Sequence, residues 1–298
     1  MRAVIEAVCR SVPSGLRRPS SIELAAEAGR RALEAAGDLD VLDLMLSVGL
    51  YQDDHVQEPA LAPLIQRRIA LLARRRDVFS FDIANGACGL VDALRVTDAF
   101  VRAGTVRRAL LVASDVDPNP GRSVGISFGA VGVAVLVGAR DASEGFGDFY
   151  AETFTKHAHL YESRLTWLGP GRSGWLRRPR GHAVTARTGE AYADRCVEST
   201  ALAAARFLEA HHLTAEDLDL LVVPEAPAGL PTRLAKLLGV SEERVAGCPD
   251  SAGTCSAAPG LALEAAFASG RLARARRALL VGVGSGISVS LALYGRDC

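Results

Sequence analysis

Residues 79–115 read FSFDIANGACGLVDALRVTDAFVRAGTVRRALLVASD, and this stretch decides the fold. The apolar residues from Val78 to Ile83 predict a strand that ends at a tight turn containing Asn85 and Gly86. The next residues place apolar side chains at helical spacing as far as Gly104, and glycine is typical just after a helix end. A second apolar run of strand length follows. The stretch therefore predicts a strand, a tight turn, a helix and a buried strand.

The same order of elements occurs again towards the C-terminal end. Residues 247–286 contain a small-residue turn, GCPDSAGTCSAAPG, then a helix that ends in Gly270, and then a strand. The string RRALLV begins at residue 107 and again at residue 276, each time after a helix that ends in glycine. A duplicated αβ unit, with two sheets sandwiched by helices, is the simplest arrangement that explains this repeat.

The composition excludes several classes of function. Of the 298 residues, 49% are hydrophobic and 23% are charged, and 34 basic residues balance 34 acidic ones. This balance provides no field to hold nucleic acid or an anionic membrane, and no apolar run reaches the roughly 20 residues of a membrane span. Glu6 interrupts the apolar N-terminal stretch, which lacks the core of a signal peptide. We therefore expect a cytoplasmic protein without nucleic-acid or membrane partners.

The six cysteines form neither a CxxC pair nor a Cys/His cluster at zinc spacing, so we expect no metal, no disulfide framework and no cofactor. Two of them, Cys88 and Cys255, lie in the two small-residue turns. A cysteine in a turn before a helix lies near free N–H groups and the positive end of the helix dipole, which lower its pKa and favour acyl transfer. The alternative is that both are small buried residues.

Residues 79–115 resemble the nucleophile-elbow region of the β-ketoacyl-ACP synthase III enzymes of the thiolase superfamily. The resemblance continues through SFGAVGVAVLVG, LDLLVVPEAPAG and AGTCSAAPGLALEAAFASGRL, and it finishes at GVGSGISVSLAL. It implies an α/β thiolase fold, five-layered αβαβα, with two internally duplicated halves. It also implies a homodimer, or a heterodimer with a related ketosynthase, that binds acyl-CoA thioester or acyl carrier protein. We expect the dimer to form through the strand Val78–Ile83, because an exposed apolar strand edge would otherwise promote aggregation.

Three parts of the chain are expected from this resemblance and from the composition. Residues 1–144 form an N-terminal thiolase-like half, and residues 181–298 form a C-terminal one. Between them, residues 145–180 are rich in glycine and aromatic residues, including Trp167 and Trp175, and we expect an irregular insertion that covers a site or an interface.

The family's catalytic Cys, His and Asn are all replaced when the matching strings are placed without gaps. The spacing of the elbow puts Ala87 at the nucleophile position and Cys88 one residue later. VVPEAPAG has Glu225 at the position of the histidine, and GTCSAAP has Thr254 at the position of the asparagine. The Trp and Arg residues with which the family holds the adenine of coenzyme A have no counterpart before the first helix.

These substitutions leave two leading hypotheses within specialised biosynthesis of the polyketide or fatty-acyl type, and a scaffold or ligand-binding role outside acyl chemistry as a third. In the first, the chain is a non-condensing subunit that helps an active ketosynthase, because Ala87 cannot carry an acyl group. In the second, it is an acyltransferase or condensing enzyme with Cys88 as a shifted nucleophile, Glu225 as a base and Thr254 beside them. One residue along a helix turns a side chain by about 100°, which weighs against a shifted nucleophile unless other changes compensate.

The glycine-rich string near the C-terminal end supplies the expected substrate-binding residues. In the family this strand lines the site with backbone N–H groups, which implies the same role here for Gly284, Ser285 and Gly286. Cys255, in the second turn, is the remaining residue expected to contact substrate.

Overall fold

The fold is described from a computed structural model, for residues 1–14, 18–37, 41–53, 58–73, 75–167, 182–296 and 298. No helix in these ranges is long and apolar enough to cross a membrane. The strands are β1 (Arg2–Ser11), β2 (Leu44–Ser47), β3 (Phe79–Asp82), β4 (Arg108–Asp115), β5 (Val131–Arg140), β6 (Gly145–Thr153), β7 (Tyr161–Trp167), β8 (His182–Thr188), β9 (Leu220–Val222), β10 (Val245–Ala246), β11 (Arg277–Gly284) and β12 (Ser288–Gly295). The helices are α1 (Ser21–Ala36), α2 (Leu61–Arg68), α3 (Gly89–Arg102), α4 (Tyr192–Ala210), α5 (Leu230–Leu238), α6 (Ala258–Ala268) and α7 (Arg271–Arg274).

The first sheet has the strand order β1-β5-β4-β2-β3. Strand β2 runs parallel to β3 and to β4, whereas β5 runs antiparallel to β4 and to β1. Every residue of β4 is buried, which agrees with the uninterrupted apolar run in RRALLVASD. Strand β3 lies at the edge of the sheet, with no neighbour on its outer side among the described strands.

The second sheet repeats the first strand for strand, in the order β10-β9-β11-β12-β6. Strand β9 is parallel to β10 and to β11, and β12 is antiparallel to β11 and to β6. Each strand thus occupies the position of its counterpart in the first half, with β3 corresponding to β10 and β4 to β11. The predicted internal duplication is confirmed.

The two sheets and the helices stack in five layers. Helices α1 and α2 cover the outer face of the first sheet, and α4 and α5 cover the outer face of the second. Helices α3 and α6 lie between the sheets and bury their apolar residues against both. The five-layered αβαβα fold is therefore confirmed, with the helices that follow the two turns at its centre.

An aspartate in each half explains why the two Arg-Arg pairs recur. Asp43, just before β2, accepts hydrogen bonds through Oδ2 from the backbone N–H groups of Arg107–Arg108 at 2.7 and 3.3 Å. Asp219, just before β9, does the same for Arg276–Arg277 at 2.8 and 3.0 Å. Each carboxylate thus fixes the start of the central strand of its sheet against the neighbouring parallel strand.

The segment 145–180 starts with regular structure. Residues Gly145–Thr153 form β6, which pairs with β12 and closes one edge of the second sheet. As the counterpart of β1, β6 belongs to the duplicated unit, so the expected irregularity does not extend to these residues. Trp167 ends β7 and is exposed, whereas residues 168–181, including Trp175, lie outside the described residues. The division of the chain at 144 and 180 stays a prediction.

Candidate functional site

The first elbow joins β3 to α3. Its turn, Gly86–Cys88, forms a single 3-10 turn, and α3 begins directly afterwards at Gly89. Gly86 has a left-handed backbone with φ of +52°, a conformation that glycine adopts without a steric penalty. The turn places Ala87 partly exposed and Cys88 fully buried. Ala87, at the predicted nucleophile position, and Cys88, one residue later, therefore lie in different surroundings.

The thiol of Cys88 is enclosed by the hairpin that joins β11 to β12. The exposure of Cys88 is 0%, and its Sγ donates a hydrogen bond to the backbone carbonyl oxygen of Ser288 at 3.3 Å. A Cβ added to Gly284 would lie 3.3 Å from that sulfur, so the strand passes close beside it. Burial, with a smaller contribution from the carboxylate of Asp92, raises the pKa of Cys88 to about 12. The thiol is therefore protonated at neutral pH.

Asp92, which the sequence analysis did not single out, anchors the polar side of this elbow. Its two carboxylate oxygens accept hydrogen bonds from Asn85 Nδ2 at 2.6 Å and from Ser290 Oγ at 2.7 Å. The contacts join the turn, the first part of α3 and β12. The sequence signal for Asp92 is its spacing of four residues from Cys88, because residues four apart lie on the same side of a helix.

The second elbow does not present its cysteine in the same way as the first. Its 3-10 turn is Cys255–Ala257, and α6 begins at Ala258. Counted from the helix start, Cys255 corresponds to Gly86 and not to Cys88. Cys255 also shares the left-handed backbone of Gly86, with φ of +49°. The cysteines lie in matching turns, as predicted, but at different positions within them.

Asp115, at the end of β4, holds the second elbow. This fully buried carboxylate accepts hydrogen bonds from the backbone N–H groups of Leu50, Tyr51 and Ser256, each at 2.7 Å. The Ser256 hydroxyl donates to it as well. Burial raises the pKa of Asp115, and burial together with the Asp115 carboxylate raises the pKa of Cys255. Both cysteines of the two elbows are thus disfavoured as thiolates.

Glu225 and Thr254 use their polar groups within their own loops. Glu225 Oε1 accepts a hydrogen bond from the backbone N–H of Gly229, just before α5, and the Glu225 N–H donates to Ser251 Oγ at 3.1 Å. The hydroxyl of Thr254, which is buried, donates to the carbonyl oxygen of Ser251 at 2.7 Å. Ser251 thus links the loops that carry the two residues.

The glycine-rich hairpin lies directly against the first elbow. A Cβ added to Gly282 would come within 3.0 Å of the Ala87 carbonyl oxygen, so a larger residue would displace the turn. Ser285 is exposed and Gly286 has φ of +128°, in the connection between β11 and β12. The two elbow turns also contact each other at the centre of the molecule. Among the site residues predicted from the sequence, Cys88 and Gly284 therefore lie next to each other in the structure.

No group of three or more His, Cys, Asp or Glu side chains in the described ranges is placed to hold a metal ion.

Comparisons with known proteins agree with the fold. A sequence model described as 3-oxoacyl-[acyl-carrier-protein (ACP)] synthase III matches residues 81–154, and a model of the C-terminal part of the same family matches residues 208–295. The 3-oxoacyl-[acyl-carrier-protein] synthase III structure from Aquifex aeolicus has a TM-score of 0.79 at 19% identity, with 98% of this chain and 99% of that one covered. The structure of OleA from Xanthomonas campestris with bound lauric acid and lauroyl-CoA has a TM-score of 0.77 at 15% identity, with 99% of each chain covered.

The fold is therefore that of the thiolase-like proteins. Among curated sequences, the β-ketoacyl-[acyl-carrier-protein] synthase III of Alkalilimnicola ehrlichii is 32% identical over 278 residues, which cover 91% of this chain and 83% of that protein. A second enzyme of this name from Streptomyces coelicolor is 33% identical over 273 residues, which cover 89% and 76% of the two chains. The chain belongs to the β-ketoacyl-ACP synthase III family.

Proposed function

We propose that this chain is a non-condensing member of its family, which pairs with an active ketosynthase and binds acyl thioester or acyl carrier protein. Condensation in the family needs a thiolate to accept the acyl group and neutral donors to stabilise the enolate and the oxyanion. The family's spacing assigns these roles to the positions of Ala87, Glu225 and Thr254. None of these residue types can supply the chemistry of the Cys, His and Asn that they replace.

The observation that carries the proposal is the environment of Cys88, the only cysteine in the first elbow. Its thiol is fully buried, donates to the Ser288 carbonyl oxygen and has a pKa of about 12. A thiol is a poor nucleophile compared with its thiolate, and an acyl thioester cannot reach a sulfur without exposure. Cys88 would have to leave this contact and lose its proton before it could accept an acyl group.

The contacts of Glu225 and Thr254, at the positions of the family's His and Asn, support the same proposal. An ionised Glu225 would oppose negative charge at an oxyanion, and its carboxylate already accepts the Gly229 N–H. The Thr254 hydroxyl donates to the Ser251 carbonyl oxygen and is therefore already used. The alternative, an acyltransferase with Cys88 as nucleophile and Glu225 as base, requires Cys88 to give up its contact with the Ser288 carbonyl oxygen.

The edge of the first sheet supports pairing with a second chain. Phe79 of β3 is 58% exposed, and its ring contacts Phe81 and Phe100, with centroids 4.9 and 6.4 Å apart. An edge strand with exposed aromatic residues offers unpaired backbone groups and apolar surface to another strand. We propose that β3 forms the dimer contact, with a second copy of this chain or with a related ketosynthase.

Intact-protein mass spectrometry after incubation with acyl-CoA and acyl-carrier thioesters tests the proposal. We expect no stable acyl adduct on the native chain or on Cys88→Ala, and no condensation with malonyl thioester. Ala87→Cys is the matched positive control, because it returns a thiol to the family's nucleophile position. An adduct on the native chain that disappears in Cys88→Ala would support the acyltransferase alternative and overturn the proposal.

A second experiment tests the partner. The ketosynthase encoded nearest to this chain, if it has the family's Cys, His and Asn, is assayed for condensation alone and with this chain added. We expect activity to increase only with both chains, and native mass spectrometry to detect their complex. Unchanged activity together with no complex would contradict the role as a subunit.

A further inference from the structure

A cleft of about 710 Å³ lies between α3 and the edge strand β6, well away from the elbows. Ligand sites for small molecules have volumes of about 300–1,000 Å³, so the cleft is of suitable size. At about 1.5 Å of rise per residue, the α3 residues that line it lie roughly 10–20 Å along the helix from the elbow. The lining combines apolar side chains (Phe149, Leu213 and Leu293) with polar or charged ones (Arg95, Asp98 and His211).

Asp98 gives the cleft an unused acceptor. Its side chain is only 6% exposed, and one carboxylate oxygen, Oδ2, accepts a hydrogen bond from Arg102 Nε at 2.5 Å. The other oxygen, Oδ1, is buried and has no hydrogen-bond partner among the described residues. A buried acceptor without a partner is unfavourable, so a donor that reached it from the cleft would bind favourably. Because Arg102 already compensates the charge, a neutral donor such as a hydroxyl suffices.

Arg95 gives the same cleft an unused cation. Its side chain is exposed, lies one turn before Asp98 on α3, and makes no hydrogen bond or ion pair with the described part of the chain. The other basic groups that line the cleft are engaged. Arg102 also donates to the carbonyl oxygens of Phe146 and Gly147, His211 Nε2 lies 3.3 Å from Asp148 Oδ2, and Arg277 has an interaction of its own. An anionic group in the cleft would therefore pair with Arg95.

We propose that this cleft binds a small hydroxylated carboxylate with an apolar body, as a site separate from the elbow. The carboxylate pairs with Arg95, the hydroxyl donates to Asp98 Oδ1, and the apolar part lies against Phe149 and Leu293. The spacing of three residues between Arg95 and Asp98 places their Cβ atoms about 5–6 Å apart on one face of α3, so one short ligand reaches both.

Isothermal titration calorimetry with 3-hydroxyhexanoate tests the site, and hexanoate serves as the matched ligand without the hydroxyl. We expect saturable binding of 3-hydroxyhexanoate with one site per chain, and about three- to tenfold weaker binding of hexanoate, because one hydrogen bond is lost. Equal affinity for the two ligands, or no binding of 3-hydroxyhexanoate at low millimolar concentration, would overturn the proposal.

Two surface variants locate the binding. Arg95→Gln removes the cation and should weaken binding about tenfold or more, and Ala99→Trp, at an exposed position of α3 that lines the cleft, should abolish it by filling the space. Arg67→Gln, at an exposed arginine of α2, is the control and should bind as the native chain does. Unchanged affinity in Arg95→Gln or Ala99→Trp would refute the assignment. All three positions lie outside the elbows, so failure here leaves the proposed subunit role untouched.

Discussion

Alkylation of Cys88 with iodoacetamide at pH 8 measures directly how far the fold suppresses the thiolate. A solvated cysteine with a pKa of about 8.5 is roughly one-quarter thiolate at this pH. Burial raises the pKa of Cys88 to about 12, for which the thiolate fraction is about one in ten thousand. Since only the thiolate reacts, and the sulfur is also fully buried, we expect alkylation to be at least about 1,000-fold slower than in the unfolded chain.

Peptide mapping by mass spectrometry over time follows this reaction at Cys88, with the protein in denaturant as the reference. The partly exposed Cys9 and Cys298 report in the same sample that the reagent is active. In Asp92→Asn the rate should rise, because a charge that raises the pKa is removed, but burial should keep it far below the reference. Reaction of Cys88 within tenfold of the denatured rate, in protein shown to be folded by circular dichroism, would refute the reasoning.

The same thiol makes stability depend on pH. Because the folded-state pKa of Cys88 lies above the unfolded value, its contribution is fully present below about pH 8.5 and is lost as the pH rises towards about 12. Between pH 9 and pH 10 this one group should lower the free energy of unfolding by about 1.2 kcal/mol. Urea titrations of the native chain and of Cys88→Ala isolate the effect, since the difference between them should change by that amount.

Two further predictions concern assembly and the first sheet. Phe79→Asp should prevent dimer formation through β3 in light scattering, whereas Leu237→Asp, at a comparably exposed apolar residue of α5, should not; a dimer that persists in Phe79→Asp would exclude this contact. Arg108→Met should cost about 3–5 kcal/mol in urea unfolding, because it removes the buried partner 2.8 Å from the Glu6 carboxylate. Arg140→Gln removes the exposed partner of the same carboxylate and should cost about 1 kcal/mol or less; equal losses would contradict this distinction.

Much of the fold could be predicted because its signals are local and occur twice. The RRALLV strings, the small-residue turns and the glycine at each helix end all depend on residues adjacent in sequence. The role of Asp43 and Asp219 could not be predicted, because each carboxylate binds N–H groups more than fifty residues away. The extent of β6 was missed for a similar reason: its ladder partner, β12, is the last strand of the chain.

Less of the candidate site could be predicted, because its chemistry depends on the direction in which each side chain points. The sequence placed Cys88 and Cys255 in equivalent turns, but only the backbone shows that Cys255 has the conformation of Gly86. Burial of the Cys88 thiol depends on the close approach of Gly284, from the other half of the chain. Catalytic or binding roles for Cys88, Glu225 and Thr254 remain predictions.

The placement of α6 between the two sheets has a consequence for synthesis of the chain on the ribosome. All strands of the first sheet have been translated by residue 140, yet its inner face is completed by α6, which ends about 130 residues later. At translation rates of about 5–20 residues per second, that face remains incompletely covered for roughly 6–25 s. During this interval the part of the inner face that α6 will cover stays exposed. The time before α6 emerges is therefore when this chain most needs a chaperone.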